Sequence, residues 1–166
     1  MSKINPGNPF IPLNIAVLTV SDTRTLADDR SGDTLVQRLS TAGHVLADRA
    51  IVQDDVEAIR TIVRGWIAAP GVDVIITTGG TGITSRDSTY EAVDALLDKR
   101  LDGFGELFRT LSYEQIGAAA MMSRATAGLA RGTILIALPG SESAVRLAMD
   151  KLVVPELTHL VQQARK

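Results

Sequence analysis

Stretches of apolar, β-branched residues alternate along the chain with stretches whose apolar residues recur every three or four positions. The first pattern predicts buried strands, and the second predicts helices that pack against them. The predicted strands are residues 13–20, 45–52, 72–78, 126–130 and 133–138, the last two as a hairpin or a bent pair. The predicted helices are residues 32–42, 56–67, a helix from about 89, one around 104–111, 142–153 and a short one from Pro155. This alternation predicts a single three-layer α/β domain with a mostly parallel, open sheet and helices on both faces.

Several polar residues stand where helices are expected to begin or end. Gly43 is the predicted stop of the first helix. Asp54 and Glu57 have capping-box spacing before the second helix, and Ser88 and Glu91 repeat that spacing after the third strand. Capping alone would account for Asp54, so a ligand-binding role for it remains one of two alternatives.

The composition excludes several classes of protein. A chain of 166 residues with 45% apolar and 22% charged residues fits one globular domain. The net charge of -2 argues against a nucleic-acid binder, the absence of cysteine excludes thiolate chemistry, and no apolar run reaches membrane-spanning length.

Residues 1–12 carry three prolines and no apolar signal core, which predicts a flexible arm before a domain at residues 13–166. A bacterial-type cytoplasmic protein is the expected placement.

The third predicted strand runs directly into a glycine-rich loop, Thr78-Gly79-Gly80-Thr81-Gly82, and the next helix follows Arg86-Asp87. Glycines allow positive φ and close approach of a ligand, and a helix start adds free N–H groups, so this pattern predicts an anion site. The alternative is a loop whose glycines only turn the chain. The phosphate-loop motif is excluded because residues 71–98 contain no lysine, and the dinucleotide fingerprint would need glycine at Ser85.

Three loops should meet at the carboxyl edge of such a sheet, where ligands bind in open α/β folds. They contain Ser21-Asp22, Thr78 to Asp87, and Gly140-Ser141. The segment from Asp28 to Ser31 fits either a helix cap or a ligand contact, and Arg86 fits either a solvated side chain or a phosphate donor.

The scarcity of other reactive side chains narrows the chemistry. The only histidines are His44 and His159, and His44 follows a helix end, where a solvated or carbonyl-capping role is expected. What remains is metal-assisted phosphoryl or nucleotidyl transfer, for which two aspartates around Mg²⁺ would suffice.

Beyond these patterns, the chain resembles a known family over nearly its whole length, residues 13–157. The segment Thr77 to Gly82, followed by Arg86-Asp87 and Glu91-Ala92, is similar to the signature of the molybdopterin-binding family. That family includes protein B of molybdenum cofactor biosynthesis, the molybdopterin adenylyltransferases and the gephyrin G domain. Further matches are Val20-Ser21-Asp22, Asp29-Arg30-Ser31-Gly32, Gly103-Phe104-Gly105-Glu106 and Leu138-Pro139-Gly140-Ser141. Residues 108–117 and 123–125 look most like the protein B branch.

The resemblance implies binding of molybdopterin, a pterin with a terminal phosphate, by a protein that forms homotrimers or hexamers. In active members, Mg²⁺ and ATP support transfer of AMP to that phosphate before molybdenum insertion. Asp87 matches one family aspartate, and Asp54 is our match for the other, with Asp55 as the alternative. Both would be catalytic and hold Mg²⁺. The implied substrate contacts are Ser21, Asp22, Asp29, Ser31, Gly32, Thr78, Gly79, Gly80, Thr81, Gly82, Arg86, Gly140 and Ser141.

Three positions depart from the family pattern, because Gln53, Tyr90 and Asp102 stand where prolines are common. These positions lie beside the acidic residues, so they bear on catalysis more than on binding. The sequence leaves open an active adenylyltransferase, a carrier or scaffold that binds pterin or nucleotide without turnover, and a weak nucleotide hydrolase. The sequence also does not decide whether ATP or GTP would be the preferred nucleotide.

Overall fold

The computed structural model describes residues 9–166, so the part of the predicted arm at residues 1–8 lies outside it. The strands are β1 (Asn14–Val20), β2 (Val45–Val52), β3 (Val74–Thr78), β4 (Lys99–Arg100), β5 (Thr126–Ala130) and β6 (Thr133–Leu138). The helices are α1 (Arg30–Thr41), α2 (Val56–Ala68), α3 (Thr89–Asp94), α4 (Asp102–Ile116), α5 (Glu142–Ala148) and α6 (Val154–Ala164). A 3₁₀ segment, Gly117–Met122, follows α4, and a π segment, Met149–Val153, joins α5 to α6. Within residues 9–166, no helix combines the length and the apolar character needed to cross a bilayer.

The six strands form one sheet in the order β2-β1-β3-β6-β5-β4. β2, β1, β3 and β6 run parallel, whereas β5 is antiparallel to both β6 and β4. The chain passes from β1 outward to β2 and then returns to the other side of β1 for β3. The strand order therefore reverses beside β1, and the crevice at the carboxyl ends of β1 and β3 is the place where such sheets bind ligands.

Each face of the sheet carries its own hydrophobic core. Alternate residues of the central strands point to opposite faces, as Ile75 and Ile76 of β3 do. One core packs under α1, α4, α5 and α6, and the other under α2 and α3. These two cores confirm the predicted three-layer domain with a mostly parallel sheet. The two-residue strand β4 was not predicted, because Lys99-Arg100 carries no apolar pattern.

The expected capping boxes are wrong in two places. Asp55, not Asp54, caps α2, because its carboxylate accepts a hydrogen bond from the N–H of Ala58 at 2.8 Å. Ser88 precedes α3 without capping it, since its hydroxyl donates to Asp54 instead. Both corrections have one cause, a contact between residues 34 positions apart that replaces the local cap.

The last two predicted helices form a single helical run. Pro155 was expected to begin a separate helix, but α5 continues through the π segment into α6 without a break. Pro155 has no N–H to bond to the carbonyl four residues earlier, and the wider π turn lies at that point. The helix thus passes the proline by changing its winding instead of ending.

The residues before β1 lie against the domain through His44. His44 is buried, at 7% exposure, and its Nδ1 accepts a hydrogen bond from the N–H of Leu13 at 3.2 Å. The Phe10 ring lies 5.2 Å from the imidazole, between ring centroids. The expectation of a solvated or carbonyl-capping histidine is therefore wrong, because the segment before β1 covers the ring.

Acidification should destabilise the protein through His44. Burial lowers the pKa of the imidazole below its ordinary value, so the folded state favours the neutral ring. A protonated Nδ1 could no longer accept the Leu13 N–H. The stability that His44 contributes is thus present above the ordinary histidine pKa of about 6.5 and is lost as the pH falls through the lowered folded pKa. Urea unfolding between pH 7.5 and 5 should show this loss. It should be smaller in His44→Asn, whose side-chain oxygen can accept without titrating.

Candidate functional site

The loops after β1, β3 and β6 converge at the carboxyl edge of the sheet, as predicted. The N–H of Gly79 donates to the carbonyl of Leu138 at 2.9 Å, and the Thr78 hydroxyl donates to that of Pro139 at 2.9 Å. The Ser31 hydroxyl, from the start of α1, donates to the carbonyl of Gly140 at 2.6 Å. A pocket of about 60 Å³ opens here, lined by Thr19, Val20, Ser21, Arg24, Asp29, Ser31, Thr78 and Gly140.

The glycine loop adopts a conformation that side chains would not tolerate. Gly79 and Gly80 have φ of 101° and 72°. A Cβ on Gly79 would lie 2.3 Å from the Val20 carbonyl oxygen, and one on Gly80 would lie 2.2 Å from Thr89 Oγ1 and 2.9 Å from Asp54 Oδ2. Close packing and positive φ therefore both require glycine at these two positions.

The same loop presents free hydrogen-bond donors. Within residues 9–166, the backbone N–H groups of Gly80, Thr81 and Ile83 have no acceptor. Free N–H groups in a turn that leads into a helix form a concave, electropositive surface suited to phosphate oxygens. The loop therefore has unpaired donors of the kind that an anion site uses.

Asp54 meets the glycine loop, whereas Asp55 does not. Asp54 Oδ1 accepts from the N–H and the hydroxyl of Ser88, the N–H contact at 2.9 Å. Asp54 Oδ2 faces Gly80. Because Asp55 is occupied as the cap of α2, Asp54 is the acidic residue of this pair that lies at the candidate site.

Asp87 closes the end of the glycine loop. Its Oδ2 accepts from the N–H of Thr84 at 2.9 Å and from the Thr84 hydroxyl at 2.7 Å. Partial burial opposes ionisation, but these hydrogen bonds, the N–H of Gly82 and the charge of Arg124 hold the pKa of Asp87 below its ordinary value. Asp87 is thus an ionised carboxylate at the mouth of the site at neutral pH.

Asp22 joins the loop after β1 to the loops after β2 and β3. Its Oδ1 accepts from the N–H of Asp54 at 3.0 Å, and its Oδ2 pairs with Arg86 at 2.8 Å. The Arg86 hydrogen bond, followed by that of the Asp54 N–H, lowers the pKa of Asp22. Ser21 stabilises the same loop, since its hydroxyl accepts from the N–H groups of Thr23 and Arg24. An anionic ligand that binds Arg86 would have to compete with Asp22.

Asp29 lines the pocket, and Gly32 packs against Asp29. Asp29 is fully buried, caps α1 through the N–H of Gly32 and accepts from the Thr19 hydroxyl at 2.6 Å. Arg49 of β2 pairs with it at 3.0 Å. A Cβ on Gly32 would lie 2.1 Å from Asp29 Oδ2. Of the two alternatives for this segment, a helix cap or a ligand contact, the structure shows the helix cap. The hydrogen bonds and the ion pair of Asp29 are all made to other residues of the protein.

The last predicted site residues, Gly140 and Ser141, lie beside the loop, as do two residues that the sequence did not indicate. Ser141 caps α5 through the N–H of Ala144, and Gly140 and Ser141 are exposed beside the loop. The sequence did not point to Thr89, whose buried hydroxyl has no hydrogen-bond partner among the described residues and faces Gly80. It also gave no role to Arg124, whose guanidinium contacts the carbonyls of Gly82 and Asp87. Only the fold brings these two residues to the loop.

Sequence comparison assigns the family. The family model described as "Probable molybdopterin binding domain" matches residues 16–159. Molybdenum cofactor biosynthesis protein B of Bacillus cereus is 52% identical over 145 residues, which are 87% of this chain and 86% of that protein. The protein of the same name from Escherichia coli is 47% identical over 157 residues, covering 95% and 91% of the two chains.

Solved structures agree with the sequence comparison. A crystal structure of molybdenum cofactor biosynthesis protein B superposes with a TM-score of 0.91 at 48% identity, covering 93% of this chain and 97% of that one. The tungsten cofactor synthesizing protein MoaB from Pyrococcus furiosus gives 0.80 at 37% identity, with 93% and 98% covered. By sequence and by fold, the chain belongs to the molybdopterin-binding family of molybdenum cofactor biosynthesis proteins.

Proposed function

We propose that the protein acts in molybdenum cofactor biosynthesis, where it binds molybdopterin and transfers AMP from ATP to the terminal phosphate of the pterin. The observation that carries this proposal is the set of free N–H groups at Gly80, Thr81 and Ile83, beside two aspartates. Donors of this kind suit a phosphate monoester. The description of the matching family model names molybdopterin, which we take as the pterin that carries such a phosphate.

In the proposed reaction, an oxygen of the pterin phosphate attacks the α-phosphorus of ATP. A new phosphorus–oxygen bond forms, the bond from the α-phosphorus to its bridging oxygen breaks, and pyrophosphate leaves with the electron pair. The glycine loop would hold the attacking phosphate, and Arg86 would reach a phosphate oxygen once released from Asp22. In reactions of this type the protein mainly positions the reactants and balances charge.

In this proposal, Asp54 and Asp87 would hold Mg²⁺. The hydrogen bonds from Ser88 use Asp54 Oδ1, so Asp54 Oδ2 would be its oxygen ligand, and the ionised carboxylate of Asp87 would supply another. Among the described residues, no group of three acidic or histidine side chains forms a complete cation site. Mg²⁺ is commonly held by one or two carboxylates together with substrate phosphates, so the phosphates would have to complete its ligands here. When bound, the ion would neutralise charge on the reacting phosphates.

The direct test is to incubate the pure protein with molybdopterin, Mg²⁺ and ATP labelled in the α-phosphate. Transfer predicts labelled, adenylylated pterin and an equal amount of pyrophosphate. GTP in place of ATP measures the nucleotide preference. If molybdopterin binds but no labelled product forms, the proposed transferase activity is contradicted and the proposed binding role is retained. Hydrolysis of ATP that releases no pyrophosphate and forms no labelled pterin would instead indicate a weak nucleotide hydrolase.

Binding without turnover is the second candidate function. It is favoured by the internal contacts of both aspartates, since Asp54 orders Ser88 and Asp87 orders Thr84. In that case the carboxylates would shape the loop and take no part in chemistry. The protein would then act as a carrier or scaffold for the pterin.

We also propose that the chain self-associates as a homotrimer or hexamer. Large apolar side chains are exposed on α4 and the 3₁₀ segment after it: Leu107, Tyr113, Ile116, Met121 and Met122. Exposed apolar groups concentrated in one segment are typical of a surface that another protein covers.

Charged residues in that segment should dissociate the assembly. The double variant Ile116→Glu, Met121→Glu is expected to sediment as a monomer at micromolar concentration, while the parent sediments as a trimer or hexamer. Val45→Glu, at an exposed apolar position on β2, is the control and should not change the mass. A monomeric parent would contradict the proposal.

A further inference from the structure

Arg124, the residue just before Ala125 and β5, contacts the glycine loop and is not among the residues that line the small pocket described above. Its backbone N–H donates to the carbonyl of Thr81 at 2.9 Å. Its Nε donates to the carbonyl of Gly82 at 2.9 Å, and its Nη2 to that of Asp87 at 3.3 Å. One residue thus binds three carbonyl groups of the loop.

These contacts fix the direction of the donors on the other side of the loop. The C=O and the following N–H of a planar trans peptide unit point in opposite directions. With the Thr81 and Gly82 carbonyls directed at Arg124, the N–H groups of Gly82 and Ile83 are directed away from it. The Ile83 N–H is one of the donors without a protein acceptor.

Arg124 is itself held in place by α3. Its guanidinium forms an ion pair with Glu91 and lies 5.2 Å from the centre of the Tyr90 ring. The hydrogen bond from Arg124 lowers the pKa of Glu91, so the carboxylate stays charged at neutral pH. Tyr90 stands where the family often has proline, and its aromatic face supplies a cation–π contact that proline could not make.

We propose that Arg124 is a positioning residue: held by Tyr90 and Glu91, it sets the orientation of the Ile83 N–H, one of the loop donors proposed to bind the pterin phosphate. This role rests on the proposed function for the identity of the ligand, but the order it imposes on the loop can be measured without any ligand. Arg124 acts on bound phosphate only through the loop backbone.

Arg124→Met and Arg60→Met form a matched pair for the test. Arg60 makes contacts of the same kind to α3, to the carbonyls of Glu91 and Ala92, and it pairs with Glu57. It makes none of these contacts to the glycine loop. Arg60→Met thus removes a comparable set of hydrogen bonds from the same helix and leaves the loop carbonyls untouched.

Amide hydrogen exchange should separate the two variants. Within residues 80–87, the amides that are hydrogen-bonded in the parent, those of Thr84 and Asp87 among them, should exchange roughly tenfold faster in Arg124→Met, as expected when hydrogen bonds from a charged group are lost. Calorimetry should show molybdopterin binding weakened about tenfold for the same reason. Arg60→Met should leave both unchanged at a similar melting temperature. Arg124→Lys should restore only part of the effect, because an ammonium group lacks the planar fork.

Equal exchange of residues 80–87 in Arg124→Met and Arg60→Met would overturn the positioning role. So would faster loop exchange with unchanged molybdopterin affinity. If the parent protein binds no molybdopterin, the proposed function fails instead, and the exchange comparison still decides whether Arg124 orders the loop.

Discussion

Asp87→Asn should lower the rate of AMP transfer to molybdopterin by roughly 10²-fold or more, because the charge that helps to hold Mg²⁺ at the transferred phosphate is removed. The substitution keeps the size of the side chain and an oxygen that can accept from Thr84. The loop N–H groups are unchanged, so the affinity for molybdopterin should stay close to that of the parent. Labelled ATP and calorimetry measure the two quantities on the same preparation.

The control for this variant is Asp55→Ala. Asp55 is also acidic and adjoins Asp54, but it caps α2 through the Ala58 N–H. Its loss should cost about 1 kcal/mol of stability and leave the transfer rate near that of the parent. A rate unchanged in Asp87→Asn would reject Asp87 as a catalytic residue and favour binding without turnover.

Gly80→Ala should weaken molybdopterin binding at least about tenfold, as for loss of a hydrogen bond to a charged group. The added Cβ would lie 2.2 Å from Thr89 Oγ1 and 2.9 Å from Asp54 Oδ2 at a φ of 72°. The loop must therefore shift, and its N–H groups shift with it. Strain and overlap together should lower the free energy of unfolding by roughly 2–4 kcal/mol.

Gly71→Ala separates strain from overlap. Gly71 has a φ of 87°, but a Cβ there would meet no atom within 4 Å. This variant should lose about 1 kcal/mol of stability and bind molybdopterin normally. If Gly80→Ala binds as tightly as Gly71→Ala, the glycine loop is not the phosphate site.

The features that sequence predicts best here are those whose signal is local. The apolar runs of β1, β3 and β6 and the glycines after β3 fix both the sheet and the edge at which the candidate site lies. The adjacent pair Asp54 and Asp55 shows where local signal stops. Either could cap α2, and the choice depends on Ser88, which only the fold brings to Asp54.

Arg124 and Thr89 are residues near the candidate site that no local sequence pattern indicates. Neither belongs to a pattern that predicts a ligand contact, yet one fixes the loop carbonyls and the other faces Gly80. Arg124 lies 42 positions from Gly82 along the chain. Such residues contact the loop only because the fold brings distant parts of the chain together, so a single sequence does not reveal them.

The π segment between α5 and α6 has a consequence for how this chain can change in length. The buried residues Val145, Met149, Val153, Leu157 and Val161 repeat every four positions. In a helix of about 3.6 residues per turn, each such step drifts about 40° around the axis, and the wider π turn offsets part of that drift. Deleting one residue from 149–153 would give a regular α-helix whose apolar positions still face the sheet. We therefore expect homologous genes to gain or lose a codon here more readily than elsewhere in this helix.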